Sequence, residues 1–202
     1  MAPPRLVLAS TSRYRAQLLE RLEVPFEVAA PRFEEDPERP RFAELGDEGF
    51  ALHLARGKAA SLRAVYPDAW LLAADQIGVL QGDAGPHLLG KPGTEAKAIA
   101  QLLSMSGRSH QLVTAVVLAP PSGAAALETV DRQRLHMRAF GEAEARAYVM
   151  RHQPLDCAGG YRIEDAGIRL FERIEGSDYT GIIGLPLLAV AGLLREAGLL
   201  QP

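Results

Sequence analysis

Hydroxyl and guanidinium side chains follow the first apolar run of the chain. Ser10 comes directly after residues 6–9, and Arg13 and Arg15 lie within the next five residues. Where a strand leads into a helix, the first helical N–H groups are unpaired and, together with such donors, can bind an anion. Phosphate suits this site. The same residues are also compatible with Ser12 capping the helix and with both arginines being solvated.

A carboxylate ends the most apolar segment of the sequence. Asp75 and Gln76 follow residues 70–74, a run typical of a strand that is buried on both faces. Ligands of open α/β sheets bind at the ends of strands. We therefore expect Asp75 at a strand end, where its carboxylate can bind a metal or accept a proton from water.

Two lysines are further candidates for binding phosphate. Lys58 lies one turn after Leu54 in a helical pattern, so its ammonium either snorkels to solvent or points into a cleft. Lys91 completes a glycine, four residues, glycine, lysine pattern typical of a phosphate-binding loop. Pro92 stands where that motif requires Ser or Thr, so we reject the motif and keep Lys91 as a point charge.

Alternating strands and helices must position these residues. Hydrophobic periodicity and turn residues predict strands at residues 6–9, 26–30, 70–74, 109–118, 127–138 and 168–174, and helices at 15–22, 48–63, 94–104, 141–151 and 186–197. Residues 31–47 hold six acidic residues and three prolines, and we expect a solvated loop there. Residues 175–180 are expected to form a second loop.

Composition favours a globular protein with a small partner. The chain has 202 residues, of which 48% are hydrophobic, so we expect one domain over residues 1–202, or two lobes that share one sheet. A net charge of −3 argues against a nucleic-acid surface. One cysteine, no signal-peptide pattern, and an apolar stretch at 181–194 that Gly184 and Pro186 interrupt predict a cytoplasmic protein without a membrane span.

The sequence resembles the Maf-type nucleoside triphosphate pyrophosphatases over nearly its whole length. Each matching motif is weak alone, but their order and spacing together are specific. The motifs are LASTSRYR at 8–15, EE at 34–35, LARGKA at 54–59, ADQ at 74–76, GKP at 90–92, SG at 106–107, DCAG at 156–159 and GIIGLPL at 181–187.

This resemblance implies a mixed α/β fold, similar to ITPase-like folds, whose twisted sheet is shared by two lobes with flanking helices and a central cleft. It also implies a homodimer that uses Mg²⁺ or Mn²⁺ to hydrolyse the α–β phosphoanhydride of a nucleoside triphosphate. Carried over by motif, the site residues are Asp75 as catalytic base and metal ligand, Glu35 as metal ligand, and Ser10, Arg15, Lys58 and Lys91 as phosphate contacts.

Three positions bear on which base is bound. Tyr14, Gln76 and Glu164 match the subgroup similar to 7-methyl-GTP pyrophosphatases, which has an aromatic residue, Gln and Glu there. The subgroup that resembles thymidine and uridine triphosphate pyrophosphatases has Arg, Thr and Gln. N7-methylation makes guanine cationic, which favours an aromatic face and a nearby carboxylate. The resemblance thus implies 7-methyl-GTP as substrate.

Four residues depart from the common family pattern: Arg13, Gly57, Cys157 and Asp165. Cys157 replaces the lysine of the pyrimidine-type members and agrees with the subgroup similar to 7-methyl-GTP pyrophosphatases. Gly57 is expected to loosen the helix that carries Lys58, at a cost of ~1 kcal/mol relative to alanine. Asp165 adds a second acid beside Glu164. The alternatives to a 7-methyl-GTP enzyme are a dTTP or UTP pyrophosphatase of the same fold and a nucleotide-binding regulator of cell division without turnover. The five histidines show no metal-ligand spacing.

Overall fold

The computed structural model describes residues 4–83, 85–121 and 123–200. Strands and helices follow one another in a mixed α/β order. The strands are β1 (Leu6–Ala9), β2 (Glu27–Ala29), β3 (Trp70–Gly82), β4 (Gly85–Leu89), β5 (Ser109–Ala119), β6 (Leu127–Met137) and β7 (Phe171–Glu175). The helices are α1 (Arg13–Glu20), α2 (Phe42–Leu62), α3 (Glu95–Met105), α4 (Glu142–His152), α5 (Tyr179–Ile183) and α6 (Leu187–Glu196).

These strands form one seven-stranded mixed sheet. Its order is β2-β1-β3-β5-β6-β7, and β4 pairs with β3 off this path. β1 is parallel to β2 and to β3, whereas the β3–β4 and β6–β7 pairs are antiparallel. The predicted α/β class is therefore confirmed. Within the described residues, no helix combines the length and apolar character needed to cross a membrane.

Backbone contacts group the residues into two compact units. The first comprises Met1–Gln76, Thr114–Asp131 and Asp178–Pro202, and the second comprises Ile77–Val113 and Arg132–Ser177. In the first unit, β1, α1 and α6 pack a core of leucines and valines that includes Leu8, Leu19 and Leu194. In the second unit, α3 packs against α4. That residues 1–202 form a single domain remains a prediction.

Several predicted boundaries were wrong, and the main differences have an identifiable reason. Residues 36–41 form a 3-10 helix and α2 already begins at Phe42, because the Phe42 ring packs edge-on against Phe50 with centroids 5.8 Å apart. Gly46, at a φ of 67°, kinks this helix. α5 begins at Tyr179, inside the predicted second loop. A 3-10 turn precedes β7, which therefore starts at Phe171.

The largest correction concerns β3. The predicted strand ends at residue 74, but β3 continues to Gly82, because its second half pairs antiparallel with β4. The apolar run alone gave no sign of this hairpin partner. Asp75 therefore lies in the middle of a strand and not at a strand end.

Candidate active site

Charged side chains of the first unit form one cluster. Nζ of Lys58 contacts Oδ1 of Asp75 and lies 2.7 Å from Oε1 of Glu35. Asp75 and Lys58 are only 4% and 6% exposed, whereas the Glu35 side chain is 43% exposed. Arg15 interacts electrostatically with both carboxylates. The structure thus brings together Asp75, Lys58, Glu35 and Arg15, which the motifs had indicated separately.

The packing of α2 decides between the two alternatives for Lys58. Its buried face comprises Leu54, Ala55, Ala59 and Leu62, and Lys58 belongs to the same face. The ammonium therefore points inward rather than to solvent. A lysine buried in this way needs a charged partner. Asp75 on β3 provides that partner.

The electrostatic environment of Asp75 perturbs its acidity. Burial raises the pKa of Asp75, because the charged form loses its hydration, and the negative charge of Glu35 acts in the same direction. The positive charges of Lys58 and Arg15 oppose this effect, but the pKa remains above its usual value. A carboxylate with a raised pKa is a stronger proton acceptor, which suits a general base.

The turn after β1 confirms that Ser12 caps the helix, whereas anion binding by Ser10 and Arg15 stays a prediction. Ser12 is the N-cap of α1, because its Oγ accepts a hydrogen bond from the Arg15 N–H at 3.4 Å. Ser10 is buried, and its Oγ accepts from the Ser12 N–H at 3.1 Å, which leaves its hydroxyl proton able to donate. Arg15 is half-buried and not solvated, and its Nε donates to the Gly184 carbonyl at 2.9 Å.

Arg13 and Tyr14 form a pair on the surface of α1. The guanidinium carbon of Arg13 lies 4.8 Å from the centroid of the Tyr14 ring, and its NH2 donates to the Tyr14 hydroxyl at 2.8 Å. One face of the ring is therefore covered by a cation. Arg13 stands where the family usually has proline. It contacts Tyr14, the residue that the motifs assign to recognition of the nucleobase.

Gln76 is oriented by two groups of the first unit. Its Nε2 donates to Oγ1 of Thr114 at 2.9 Å and to the Gly181 carbonyl at 2.6 Å. Sequence reasoning gave Gln76 a role but missed Thr114. The available signal was a single polar residue within the apolar run of β5, where a buried hydroxyl needs a hydrogen-bond partner.

The segment before α6 supplies the backbone that holds these side chains. Asp178 caps α5, since its carboxylate accepts from the Thr180 N–H at 2.9 Å and from the Leu188 N–H at 2.8 Å. The carbonyls of Gly181 and Gly184 accept hydrogen bonds from Gln76 and Arg15, respectively. The motif at residues 181–187 thereby acquires a structural role. Neither Asp178 nor Thr180 was singled out from the sequence.

Lys91 and Glu164 belong to the second unit. Both are exposed, and Lys91 lies two residues after β4. The adjacent Asp165 is bound by NH1 of Arg162 at 3.5 Å, whereas Glu164 makes no hydrogen bond or ion pair with the residues that the structure describes. The two neighbouring acids therefore differ, and Glu164 is the one available to a ligand.

Cys157 is held in the same segment as a protonated thiol. Nε of Arg162 donates to its Sγ at 3.3 Å, yet burial raises the pKa of Cys157 to about 11. A thiol of that pKa carries little thiolate at neutral pH and is a poor nucleophile. Cys157 is thus a packing residue rather than a reactive one.

Asp75 and Glu35 are the two members of the cluster with carboxylates, the groups that could bind a metal ion. Both contact the same ammonium group, so one cation can be reached by both. Among the described residues, no group of three or more His, Cys, Asp or Glu side chains is arranged to hold a metal ion. Two carboxylates suit Mg²⁺, which commonly completes its octahedral shell with water and substrate phosphates.

Comparisons with known proteins agree with the motifs. The model of a family described as Maf-like protein matches residues 5–197. The chain is 43% identical over 199 residues to the 7-methyl-GTP pyrophosphatase of Xanthomonas oryzae pv. oryzae, covering 98% of this chain and 100% of that protein. It is 42% identical over 193 residues to the protein of that name from Syntrophotalea carbinolica, covering 96% and 94%. The protein of that name from Bdellovibrio bacteriovorus is 39% identical over 199 residues, covering 98% and 100%.

Proposed function

The chain belongs to the Maf-like protein family, and from that premise we propose that it is a nucleoside triphosphate pyrophosphatase acting on 7-methyl-GTP. The reaction hydrolyses the bond between the α- and β-phosphates and releases 7-methyl-GMP and pyrophosphate. The observation that carries this proposal is the buried Asp75–Lys58 contact, with Glu35 and Arg15 around it. The relatives that bear this name cover the chain almost completely.

The chemistry requires a proton acceptor and positive charge around the phosphates. Asp75 is the proposed base that accepts the proton of the attacking water, and its raised pKa favours this role. Arg15 and Lys58 are the proposed phosphate contacts. An ammonium has three N–H donors, and two of them face Asp75 and Glu35, so the third remains for a phosphate oxygen. Ser10 and Lys91 complete the proposed set.

A divalent cation fits the same carboxylates. Asp75 and Glu35 would hold Mg²⁺ or Mn²⁺, because both already converge on one cationic group. When bound, the ion neutralises charge on the phosphate oxygens. Glu35, which is partly exposed, would contribute the ligand nearer the surface. Loss of Glu35 should therefore weaken metal binding more than nucleotide binding.

Base recognition is assigned to Tyr14, Gln76 and Glu164. The cationic 7-methylguanine ring suits the aromatic face of Tyr14 that Arg13 does not cover. The Glu164 carboxylate can accept from the ring N–H and the exocyclic amine, because no described residue occupies it. We place the activity in the cytoplasm and expect a homodimer, which sedimentation velocity tests.

A substrate panel tests this function. Purified protein with Mg²⁺ is assayed for pyrophosphate release from 7-methyl-GTP, GTP, UTP and dTTP, and we expect the highest kcat/KM for 7-methyl-GTP. A preference for UTP or dTTP would overturn the substrate assignment. Binding of nucleotides without any turnover would instead support a nucleotide-binding regulator.

Two neighbouring acids provide a matched pair of variants for this assay. Glu164→Gln should lower the preference for 7-methyl-GTP over UTP by roughly tenfold or more, the usual effect of losing a charged hydrogen bond. Asp165→Asn should leave that preference unchanged, because Asp165 is bound by Arg162. Equal effects of the two variants would contradict the role of Glu164.

A further inference from the structure

Thr114 is a buried polar residue of β5 that has no role in the reaction as described above. Its side chain is shielded from solvent completely, and its Oγ1 accepts a hydrogen bond from Nε2 of Gln76 at 2.9 Å. The same hydroxyl donates to the Gly181 carbonyl at 3.4 Å. Nε2 of Gln76 donates to that carbonyl as well, at 2.6 Å. The three groups form a closed triangle of hydrogen bonds.

This triangle fixes which end of the Gln76 amide faces the protein. A backbone carbonyl can only accept, so the amide nitrogen and not the oxygen must face Gly181. The nitrogen carries two hydrogens, and both are used, one by Gly181 and one by Thr114. The remaining polar atom is Oε1, which can only accept. Oε1 receives no hydrogen bond from the described part of the chain, and Gln76 is only half-buried.

Oε1 of Gln76 and the guanidinium of Arg15, a proposed phosphate contact, both face Gly184. A Cβ built on Gly184 would lie 3.9 Å from Oε1 of Gln76 and 3.6 Å from Nε of Arg15. Gly184 has a φ of 113°, a conformation that residues with side chains rarely adopt. Residue 184 therefore contributes no side chain between the amide oxygen and the guanidinium. A ligand that contacts Arg15 comes within reach of Oε1.

We propose that Thr114 is a positioning residue for base selection, an inference that rests on the proposed function. Thr114 and the Gly181 carbonyl hold Gln76 so that it presents an acceptor only. An acceptor favours a base with an N–H on its facing edge, as guanine and 7-methylguanine have at N1. Adenine has a bare nitrogen at that position and is disfavoured. Uracil also has an N–H, so its exclusion is assigned to Tyr14 and Glu164.

An isosteric substitution tests the proposal. Thr114→Val keeps the shape and removes the hydroxyl, so that the Gly181 carbonyl alone holds the amide of Gln76. The amide can then turn and offer its freed hydrogen to a bare ring nitrogen. We expect the ratio of kcat/KM for 7-methyl-GTP over ATP to fall about five- to tenfold, the effect of one neutral hydrogen bond. Thr114→Ser should restore the ratio to within about twofold of wild type, because it keeps the hydroxyl. Thr129→Val, on the adjacent strand β6, is the matched control and should not change the ratio.

An equal loss of activity on both nucleotides in Thr114→Val would overturn the proposal, since a purely structural residue has that effect. An unchanged ratio would overturn it too. If Thr114→Val does not fold, Thr114→Ala is used with the same expectation.

A binding measurement separates this proposal from the proposed function. The affinities for 7-methyl-GMP and AMP are measured by calorimetry for wild type and for the Thr114 variants, without any turnover. We expect wild type to prefer 7-methyl-GMP and Thr114→Val to lose most of that preference. If the protein hydrolyses no triphosphate, the pyrophosphatase assignment fails while the binding ratio still tests Thr114. An equal preference in wild type and Thr114→Val would reject the positioning role.

Discussion

The ammonium of Lys58 contacts the carboxylate of Asp75 in the interior of the first unit, with side chains that are only 7% and 5% exposed. Buried ion pairs gain little net stability, because removing two charges from water costs about as much as their attraction returns. We therefore propose that the pair serves the reaction rather than the stability of the fold. It keeps a carboxylate of raised pKa beside a cation, which a reaction at phosphate requires.

Asp75→Asn tests the proposed role of Asp75 as the general base. The amide keeps the shape of the side chain but cannot accept the proton of water. We expect kcat to fall by at least ~100-fold, the scale of general-base catalysis, while the Kd for nucleotide changes little. Asp68→Asn, an exposed acid just before β3, is the control and should retain full activity. Near-normal turnover by Asp75→Asn would refute the assignment.

Lys58→Met tests the electrostatic account of Asp75. Removing one partner of a buried pair should cost roughly 3–5 kcal/mol of unfolding free energy at neutral pH. Lys58 lowers the pKa of Asp75, so without it that pKa rises further above the unfolded value. A group with a raised folded pKa favours folding most when it is protonated, and this contribution is lost as pH rises.

The deficit of Lys58→Met should therefore shrink as the pH falls from neutral toward about 4, as measured by urea unfolding at each pH. Lys97→Met, an exposed lysine of α3, serves as the control and should cost little at any pH. A deficit independent of pH would contradict the coupling of Lys58 to Asp75.

His110 should make the protein sensitive to acid. It is 1% exposed, its Nε2 lies 2.7 Å from the Tyr161 hydroxyl, and burial lowers its pKa to about 4. Because the folded pKa of His110 lies below the unfolded value, its contribution to the free energy of unfolding is fully present above about pH 6.5. This contribution is lost progressively down to about pH 4.

We expect His110→Gln to remove about 3 kcal/mol of this acid-dependent loss, measured by urea unfolding as a function of pH. His87→Gln, an exposed histidine of β4, should leave the pH profile unchanged. Identical pH profiles for wild type and His110→Gln would show that His110 titrates normally in the folded protein.

Gly57→Ala should destabilise the protein, although helix propensity alone predicts a gain of ~1 kcal/mol. A Cβ on Gly57 would lie 2.3 Å from a ring carbon of Phe33, so the ring has to move. We expect a loss of roughly 1–3 kcal/mol in urea unfolding. Gly49→Ala in the same helix meets its nearest atom at 3.4 Å and should be neutral or stabilising. A stabilised Gly57→Ala would show that Phe33 adapts freely.

The sequence predicted well what local patterns determine. The strand before Ser10, the Ser12 cap, and the helix that carries Lys58 follow from periodicity and capping residues. The extension of β3 past Asp75 depends on pairing with β4, which the apolar run at residues 70–74 does not reveal. The contact between Gly57 and Phe33 is likewise a tertiary one. The sequence alone therefore indicates only that Gly57, which departs from the family pattern, weakens its helix.

The candidate site, like the fold, could be predicted only in part from the sequence. Motif resemblance selected Asp75, Glu35, Lys58 and Arg15, but only the fold shows that Lys58 bridges both carboxylates. Thr114 escaped notice because its importance lies in one hydrogen bond to Gln76. The lone hydroxyl in the apolar run of β5 marks Thr114 as a buried polar residue, but only the fold shows that its partner is Gln76.

The proposed reaction is tested by identifying its products. Wild-type protein is incubated with 7-methyl-GTP and Mg²⁺, and the phosphorus-containing products are resolved by ³¹P NMR. We expect 7-methyl-GMP and pyrophosphate in equal amounts, with Asp75→Asn forming neither above background. Formation of 7-methyl-GDP and inorganic phosphate, or an unchanged substrate, would contradict it.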